Sequence, residues 1–152
     1  MDSSPGWQHP LMGISPPFVR MTTIIDQFAR SSAPVLLVGE TGTGKEALAR
    51  TIHEQSPRHA HPFLGIYCGG SPAEIQIELF GDPGSPLGDE PRDGLFVRAD
   101  GGTLFLDEID LLDLSLQVHL DVALQRLPGK FWRPGGAKQI DVRSFAAIST
   151  LS

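Results

Sequence analysis

Gly39-Glu40-Thr41-Gly42-Thr43-Gly44-Lys45-Glu46 is the stretch that decides the fold of this chain. It follows the apolar run Val35-Leu36-Leu37-Val38 and opens Ala47-Leu48-Ala49-Arg50-Thr51-Ile52, which favours helix. Strand, glycine-rich turn and helix in that order, at G-x-x-x-x-G-K spacing, make a phosphate-binding loop. Glycines at 39, 42 and 44 let the backbone turn tightly and aim its N–H groups at phosphate oxygens. The start of the following helix adds the positive end of its dipole, and Lys45 can bridge the outer phosphates as a point charge. A plain strand-to-helix turn with a surface lysine would share some of these letters, but not the full spacing with both flanks. At the position after the lysine, where Ser or Thr usually meets magnesium, this chain has Glu46.

Working outward, the flanks alternate between strand and helix patterns. Met21, Ile24, Ile25 and Phe28 recur at helix spacing and predict an amphipathic helix from about Pro17 to Arg30. Pro34 to Val38 reads as a short apolar strand of the kind buried on both faces of a parallel sheet. Beyond the loop's own helix, His59 and His61 fall in a polar stretch, Ser56 to Pro62, and read as solvated residues, not metal ligands. Phe63-Leu64-Gly65-Ile66-Tyr67 is a second strand. Ser71-Pro72-Ala73-Glu74 has the form of a capping box with proline at the first helical position, starting a helix to about Phe80.

Gly81 to Gly94 is a loop dense in Gly, Pro and Asp, and Gly101 to Glu108 is a turn followed by a third strand. Ser115 can cap a helix with Leu116, Leu120, Ala123, Leu124 and Leu127 on one face. Phe131 to Ile140, centred on Gly135-Gly136, reads as a hairpin, and Val142 to Ile148 as the fourth sheet strand. The alternation predicts an α/β fold with a parallel sheet. Residues 1–10, rich in Ser, Pro and Gly, read as a disordered lead-in.

Composition narrows the class. The chain has 152 residues, 40% hydrophobic and 20% charged, enough for one domain with a core. No apolar run approaches the roughly 20 residues of a membrane span, and residues 1–6 lack the form of a signal peptide. The single Cys68 cannot form an internal disulfide, so the expectation is a cytoplasmic protein. A net charge of −6 supplies no basic footprint for DNA, so any effect on transcription is expected to run through protein partners.

Asp107 and Glu108 close the third strand at its carboxyl end, the edge where open parallel sheets bind ligands. Alone, a helix cap explains such a pair equally well. Together with the upstream phosphate loop it points to a magnesium–nucleotide site, with Asp107 on the metal and Glu108 orienting water toward the γ-phosphate.

The motifs then resemble a known family: the AAA+ central domain of bacterial enhancer-binding proteins that activate sigma-54 RNA polymerase. The resemblance runs from about Leu11 to Ile148. The family's loop reads GESGTGKE, so Gly39 to Glu46 differs only at Thr41, and Glu46 is then the expected residue. Glu78-Leu79-Phe80-Gly81, Gly94-Leu95-Phe96, Ala99 to Ile109, Leu114 to Gln117, Arg133 to Gly136 and Asp141-Val142-Arg143 resemble further family blocks. The resemblance implies a P-loop NTPase αβα sandwich over residues 11–152, a partial AAA+ domain without the family's last strand and helical lid. It also implies ATP and Mg2+ as cofactors, and sigma-54 RNA polymerase or an intact AAA+ activator as partner.

Four positions depart from the family pattern. Its GAFTGA loop aligns with Gly84-Ser85-Pro86-Leu87-Gly88-Asp89, in which Pro86 and Leu87 replace the aromatic and the threonine. Tyr67 stands where the family has an asparagine that restrains the catalytic glutamate. The sensor asparagine that closes the fourth strand is replaced in the Ile148-Ser149-Thr150 region, where Ser149 still offers a hydroxyl. Two functions stay open on these letters: an ATP-binding, ATP-hydrolysing core of a sigma-54-dependent activator, or a non-catalytic nucleotide-binding module that modulates one. Without a strand beside it, Val35 to Val38 would be an apolar edge, and self-association through it is the expectation.

Overall fold

A computed structural model describes residues 24–133 and 135–150. The lead-in at 1–10 and the first turns of the helix expected over 17–30 lie outside the described residues. Residues 24–30 are helical as expected and are called α1. Then follow β1 (Val35–Glu40), α2 (Lys45–Glu54), β2 (Phe63–Tyr67), α3 (Pro72–Phe80) and α4 (Leu95–Arg98). After these come β3 (Thr103–Asp107), a single 3-10 turn (Ile109–Leu111), α5 (Leu114–Gln125), β4 (Gly129–Arg133), β5 (Gly136–Ile140) and β6 (Arg143–Thr150). No helix among the described residues is long and apolar enough to cross a membrane.

Four strands form one parallel sheet in the order β1-β6-β3-β2, and β4 and β5 form the separate hairpin expected around Gly135-Gly136. β3 is central because it can be buried on both sides: Thr103 to Leu106 are all within 1% exposure. Its side chains alternate between two cores. Phe105 joins Phe145, Ala147, Ile25, Ala29, Ala49 and Ile52 under α1 and α2. Leu104 and Leu106 join Leu79, Phe96, Leu116, Leu120 and Ile140 under α3, α5 and the hairpin. Helices on both faces of a parallel sheet make the αβα sandwich. Each fully buried phenylalanine contributes roughly 2 kcal/mol relative to leaving it in water.

Three local expectations need correction. β1 is not buried on both faces. Val35 packs inward, but Leu36 and Val38 are 57% and 59% exposed. β1 is the outer strand, and its second face points to the side where α5 reaches only as far as Ile148, across a cleft of about 320 Å3 lined by Leu120 and Leu124. Ser71 is the N-cap of α3 with Pro72 at its first turn, but no side-chain capping bond forms. The cap of α5 is Asp113, not Ser115, whose hydroxyl instead donates to Asp113 Oδ2 at 2.6 Å. Short polar side chains two residues apart compete for one cap, and sequence alone does not rank them.

Candidate nucleotide site

Parallel strands bring β1, β6 and β3 to a common carboxyl edge, and the loops leaving that edge carry the expected residues. Gly39 and Glu40 end β1, residues 41–43 turn, and Lys45 opens α2. Gly42 and Gly44 hold φ of 82° and 85°, the left-handed region that glycine reaches without strain. Gly39 is favoured for a different reason: a Cβ there would sit 3.0 Å from Thr43 Oγ1, close enough that the threonine would have to shift. The turn is closed by Glu40, whose carbonyl accepts from Thr43 N (3.2 Å) and Thr43 Oγ1 (2.7 Å). Thr41 lies in the exposed part of the turn.

Lys45 folds back over this loop, donating from Nζ to the carbonyls of Gly39 (3.1 Å) and Glu40 (2.9 Å). Both bonds go to neutral acceptors, so an anionic phosphate would outcompete them. Glu46, in the first turn of α2, pairs on the outer side with Arg50 at 3.2 Å.

Asp107 ends β3 beside Tyr67 of β2, and its backbone oxygen accepts from Cys68 N at 2.9 Å. Desolvation first, then the charges of Glu108 and Glu46, hold its carboxyl above the ordinary range, and Lys45 pulls the other way. The sheet therefore brings Asp107, Glu108, Glu46 and Lys45 into one electrostatic neighbourhood. A carboxylate crowded by acids and partly stripped of water is suited to a hard divalent cation, which would remove the repulsion. Cys68 is buried behind it, its thiol pushed up to about 12 by burial and by Asp107 and Asp110.

Glu108 adopts φ 56° and ψ 54°, making it the one non-glycine residue at positive φ among those described. Its carboxylate accepts from Ser149 N at 2.8 Å (Oε1) and from Ser149 Oγ at 2.5 Å (Oε2). Tyr67, on the other side of β3, is 58% exposed. Sequence reasoning marked Ser149 as a hydroxyl donor near the strand end; its grip on Glu108 was not legible, because it depends on β6 lying next to β3.

The 84–89 loop lies in the connection between α3 and α4. It is a closed turn: Ser85 N donates to Asp89 O (3.2 Å), and an isolated bridge joins Asp82 to Arg92 at its base. Leu87 projects from the tip at 96% exposure. His59 and His61 are exposed as expected, although His59 Nδ1 lies 3.0 Å from Ser56 O.

A family model, the sigma-54 interaction domain, matches residues 11–150. The response regulator protein PilR of Pseudomonas aeruginosa is 46% identical over 143 residues, covering 90% of this chain and 32% of that protein. The crystal structure of NtrX from Brucella abortus in complex with ATP superposes with a TM-score of 0.77 at 29% identity, over 96% of this chain and 33% of that one. The P-loop NTPase domain of the sigma-54 transport activator from E. coli shares the fold at TM-score 0.59 and 22% identity, over 91% of this chain and 79% of that one. This chain spans about a third or less of the length of the curated relatives it matches.

Proposed function

This chain belongs to the sigma-54 interaction domain family, and on that premise we propose that it binds ATP with magnesium at Gly39 to Glu46. In this reading it serves as the nucleotide core of a sigma-54-dependent transcription activator in the bacterial cytoplasm. The observation that carries the reading is the convergence of Lys45, Glu46, Asp107 and Glu108 on one sheet edge, with Asp107 held above its ordinary range by burial and then by its acidic neighbours.

In this reading the backbone N–H groups of Gly42 to Lys45 cradle the phosphates, and Lys45 leaves its two carbonyl acceptors for phosphate oxygens. Asp107 would hold magnesium, with Glu46 close enough to contribute charge. Magnesium, when bound, neutralises charge on the outer phosphates. Glu108 orients the attacking water. The sigma-54 polymerase would meet the 84–89 loop, where Leu87 is the projecting side chain. Self-association would use β1, whose outer edge and exposed Leu36 and Val38 can pair with a second strand.

One observation favours a second reading. The loop tip carries Pro86 and Leu87 where the family has an aromatic and a threonine, so the chain could bind nucleotide and modulate an intact activator without gripping sigma-54 itself.

Magnesium-dependent ATP binding and turnover, compared among the chain, Lys45→Ala and Glu108→Gln, test the proposal. Binding should fall at least about a hundredfold in Lys45→Ala, in line with the loss of a phosphate-bridging charge in a shielded loop. Glu108→Gln should bind as the parent does and lose turnover. Equal binding by the parent and Lys45→Ala would sink the site assignment, and binding without turnover in any form would favour the modulating module. Sedimentation of the same samples tests self-association: a concentration-independent monomer counts against it.

A further inference from the structure

Glu108 stands at a fork. β3 has two neighbours, β6 on one side and β2 on the other, and the carboxylate at its end can turn toward either. Toward β2 it would meet Tyr67, an exposed phenol side chain that makes no hydrogen bond to it. Toward β6 it meets Ser149, and both oxygens are taken there, one by the backbone N–H and one by the hydroxyl.

The direction matters because of the strand order. β6 lies between β3 and β1, and Ser149 pairs in register with Gly39, the first residue of the phosphate loop. A carboxylate turned to β6 is therefore turned toward the phosphate loop. One turned to β2 is carried away from it.

The local backbone explains why the bond forms. β3 and β6 pair from Thr103–Arg143 to Leu106–Ala146, and the pairing stops there. β3 then breaks at Glu108 into the left-handed region and a 3-10 turn. Ser149 N–H is left without a strand partner on that side, and a part-buried donor needs an acceptor. The Glu108 side chain supplies it. A left-handed conformation is unfavourable at a non-glycine residue, and the two bonds from Ser149 to the Glu108 carboxyl offset that cost.

We propose that Ser149 is a positioning residue that holds the Glu108 carboxylate on the phosphate-loop side of the site. The inference rests on the reading of Glu108 as the water-orienting group, and deepens it. With Tyr67 offering no competing bond, the glutamate of this chain is set in its productive orientation before nucleotide arrives.

The test has two arms, so that failure of this inference and failure of the ATP reading are told apart. The first needs no nucleotide: amide hydrogen exchange at Ser149, resolved by NMR, in the chain and in Glu108→Ala. Exchange at Ser149 should quicken about tenfold or more when its acceptor is removed, while the buried Ala147 two residues earlier keeps its rate. Unchanged exchange at Ser149 overturns the proposal whether or not ATP is bound. The second arm measures turnover beside a separately determined Kd in Ser149→Ala and Ser149→Thr. Ser149→Ala should lower kcat roughly tenfold with Kd unchanged, as a misplaced reacting group does, and Ser149→Thr, which keeps the hydroxyl, should recover most of it. A Ser149→Ala kcat equal to the parent's overturns the proposal. A fall in kcat that Ser149→Thr does not recover also counts against it, because the hydroxyl would then not be the holding group.

Discussion

The two edges of the sheet are built on opposite principles. At the amino edge, three side chains make long-range bonds between connections. His53 is 4% exposed, its Nδ1 2.7 Å from Thr103 Oγ1 and its Nε2 3.0 Å from the His61 carbonyl. Arg58 donates to the carbonyls of Gly102 (3.3 Å) and Asp141 (3.2 Å) and to Asp141 Oδ2 (3.1 Å). Arg143 is 2% exposed; its Nε donates to Ala33 O at 3.0 Å and its guanidinium lies 4.8 Å from the Phe145 ring. These contacts fasten the α1–β1 loop to the start of β6, and the α2–β2 loop to the start of β3 and the turn before β6.

The carboxyl edge is left loose by comparison. Lys45 bonds only to carbonyls of its own loop, and Asp107 is partly desolvated and then pressed by like charges. The difference lies in how far the polar contacts reach. The amino edge is tied by long-range bonds through His53 and Arg58, although Nη1 and Nη2 of buried Arg143 have no partner among the described residues. At the carboxyl edge Ser149 holds Glu108, but Lys45 bonds only within its own loop. Substitutions at the two ends should therefore differ in kind.

The sharpest contrast is between two glycines. A Cβ on Gly102, at the amino edge, would lie 2.0 Å from the Pro62 carbonyl oxygen, a backbone atom that accepts from Thr103 N and cannot easily retreat. Gly42, in the phosphate loop, has φ 82° and nothing within 4 Å of such a Cβ. Gly102→Ala should cost about 3 kcal/mol, the upper range for overpacking. Gly42→Ala should cost only about 1 kcal/mol, the strain of a left-handed alanine. Urea midpoints of the two variants check this, and equal losses would erase the distinction between the edges.

A smaller effect comes from His53. Burial, ahead of the hydrogen bond to His61 and nearby charges, lowers its pKa below the ordinary 6.5. The unfolded chain therefore takes up the proton first as pH falls. The stability His53 contributes is complete above about pH 6.5 and is lost as pH drops from there through the folded-state value. His53→Gln should flatten the slope of stability below about pH 6.5 and lower the neutral-pH stability by about 1 kcal/mol, since one of two buried bonds is lost. A slope unchanged in the variant would place the titrating group elsewhere.

How much of this was legible follows from how local each feature is. The strand–turn–helix around Gly39 to Lys45, the strand ending at Asp107 and the Gly135-Gly136 hairpin are each encoded within a few residues, and the structure has these elements at their expected places. His53 and Thr103 are 50 residues apart, Arg58 and Asp141 are 83, and Glu108 and Ser149 are 41. Nothing in the spacing of such pairs betrays a contact; only the strand order brings them together. The same holds for β1. Its four apolar letters fit a strand buried on both faces, but burial depends on which helix crosses it, and that is a property of the layers.

Asp107 gives the smallest effect on stability and the cleanest reversal. Its folded-state pKa is raised, mainly by desolvation and then by Glu108 and Glu46. For a carboxyl raised in this way the folded chain holds its proton more tightly than the unfolded chain does. Stability is then highest below the unfolded value near 3.9, falls as pH rises through the folded value, and stays lowered at neutral pH. Asp107→Asn removes the charge that burial and its neighbours oppose, so at pH 7 the variant should melt slightly above the parent, and the two should converge as pH falls toward 4. Magnesium with nucleotide should invert the order: the parent gains stability from a bound cation by mass action, and the variant, without a carboxylate, gains little. A parent less stable alone and more stable when loaded is the signature of a residue kept for its ligand, as strain at functional sites generally is. If Asp107→Asn melts below the parent at neutral pH without nucleotide, the carboxylate is bonded into the fold, and the carboxyl edge is less open than its partner-poor geometry implies.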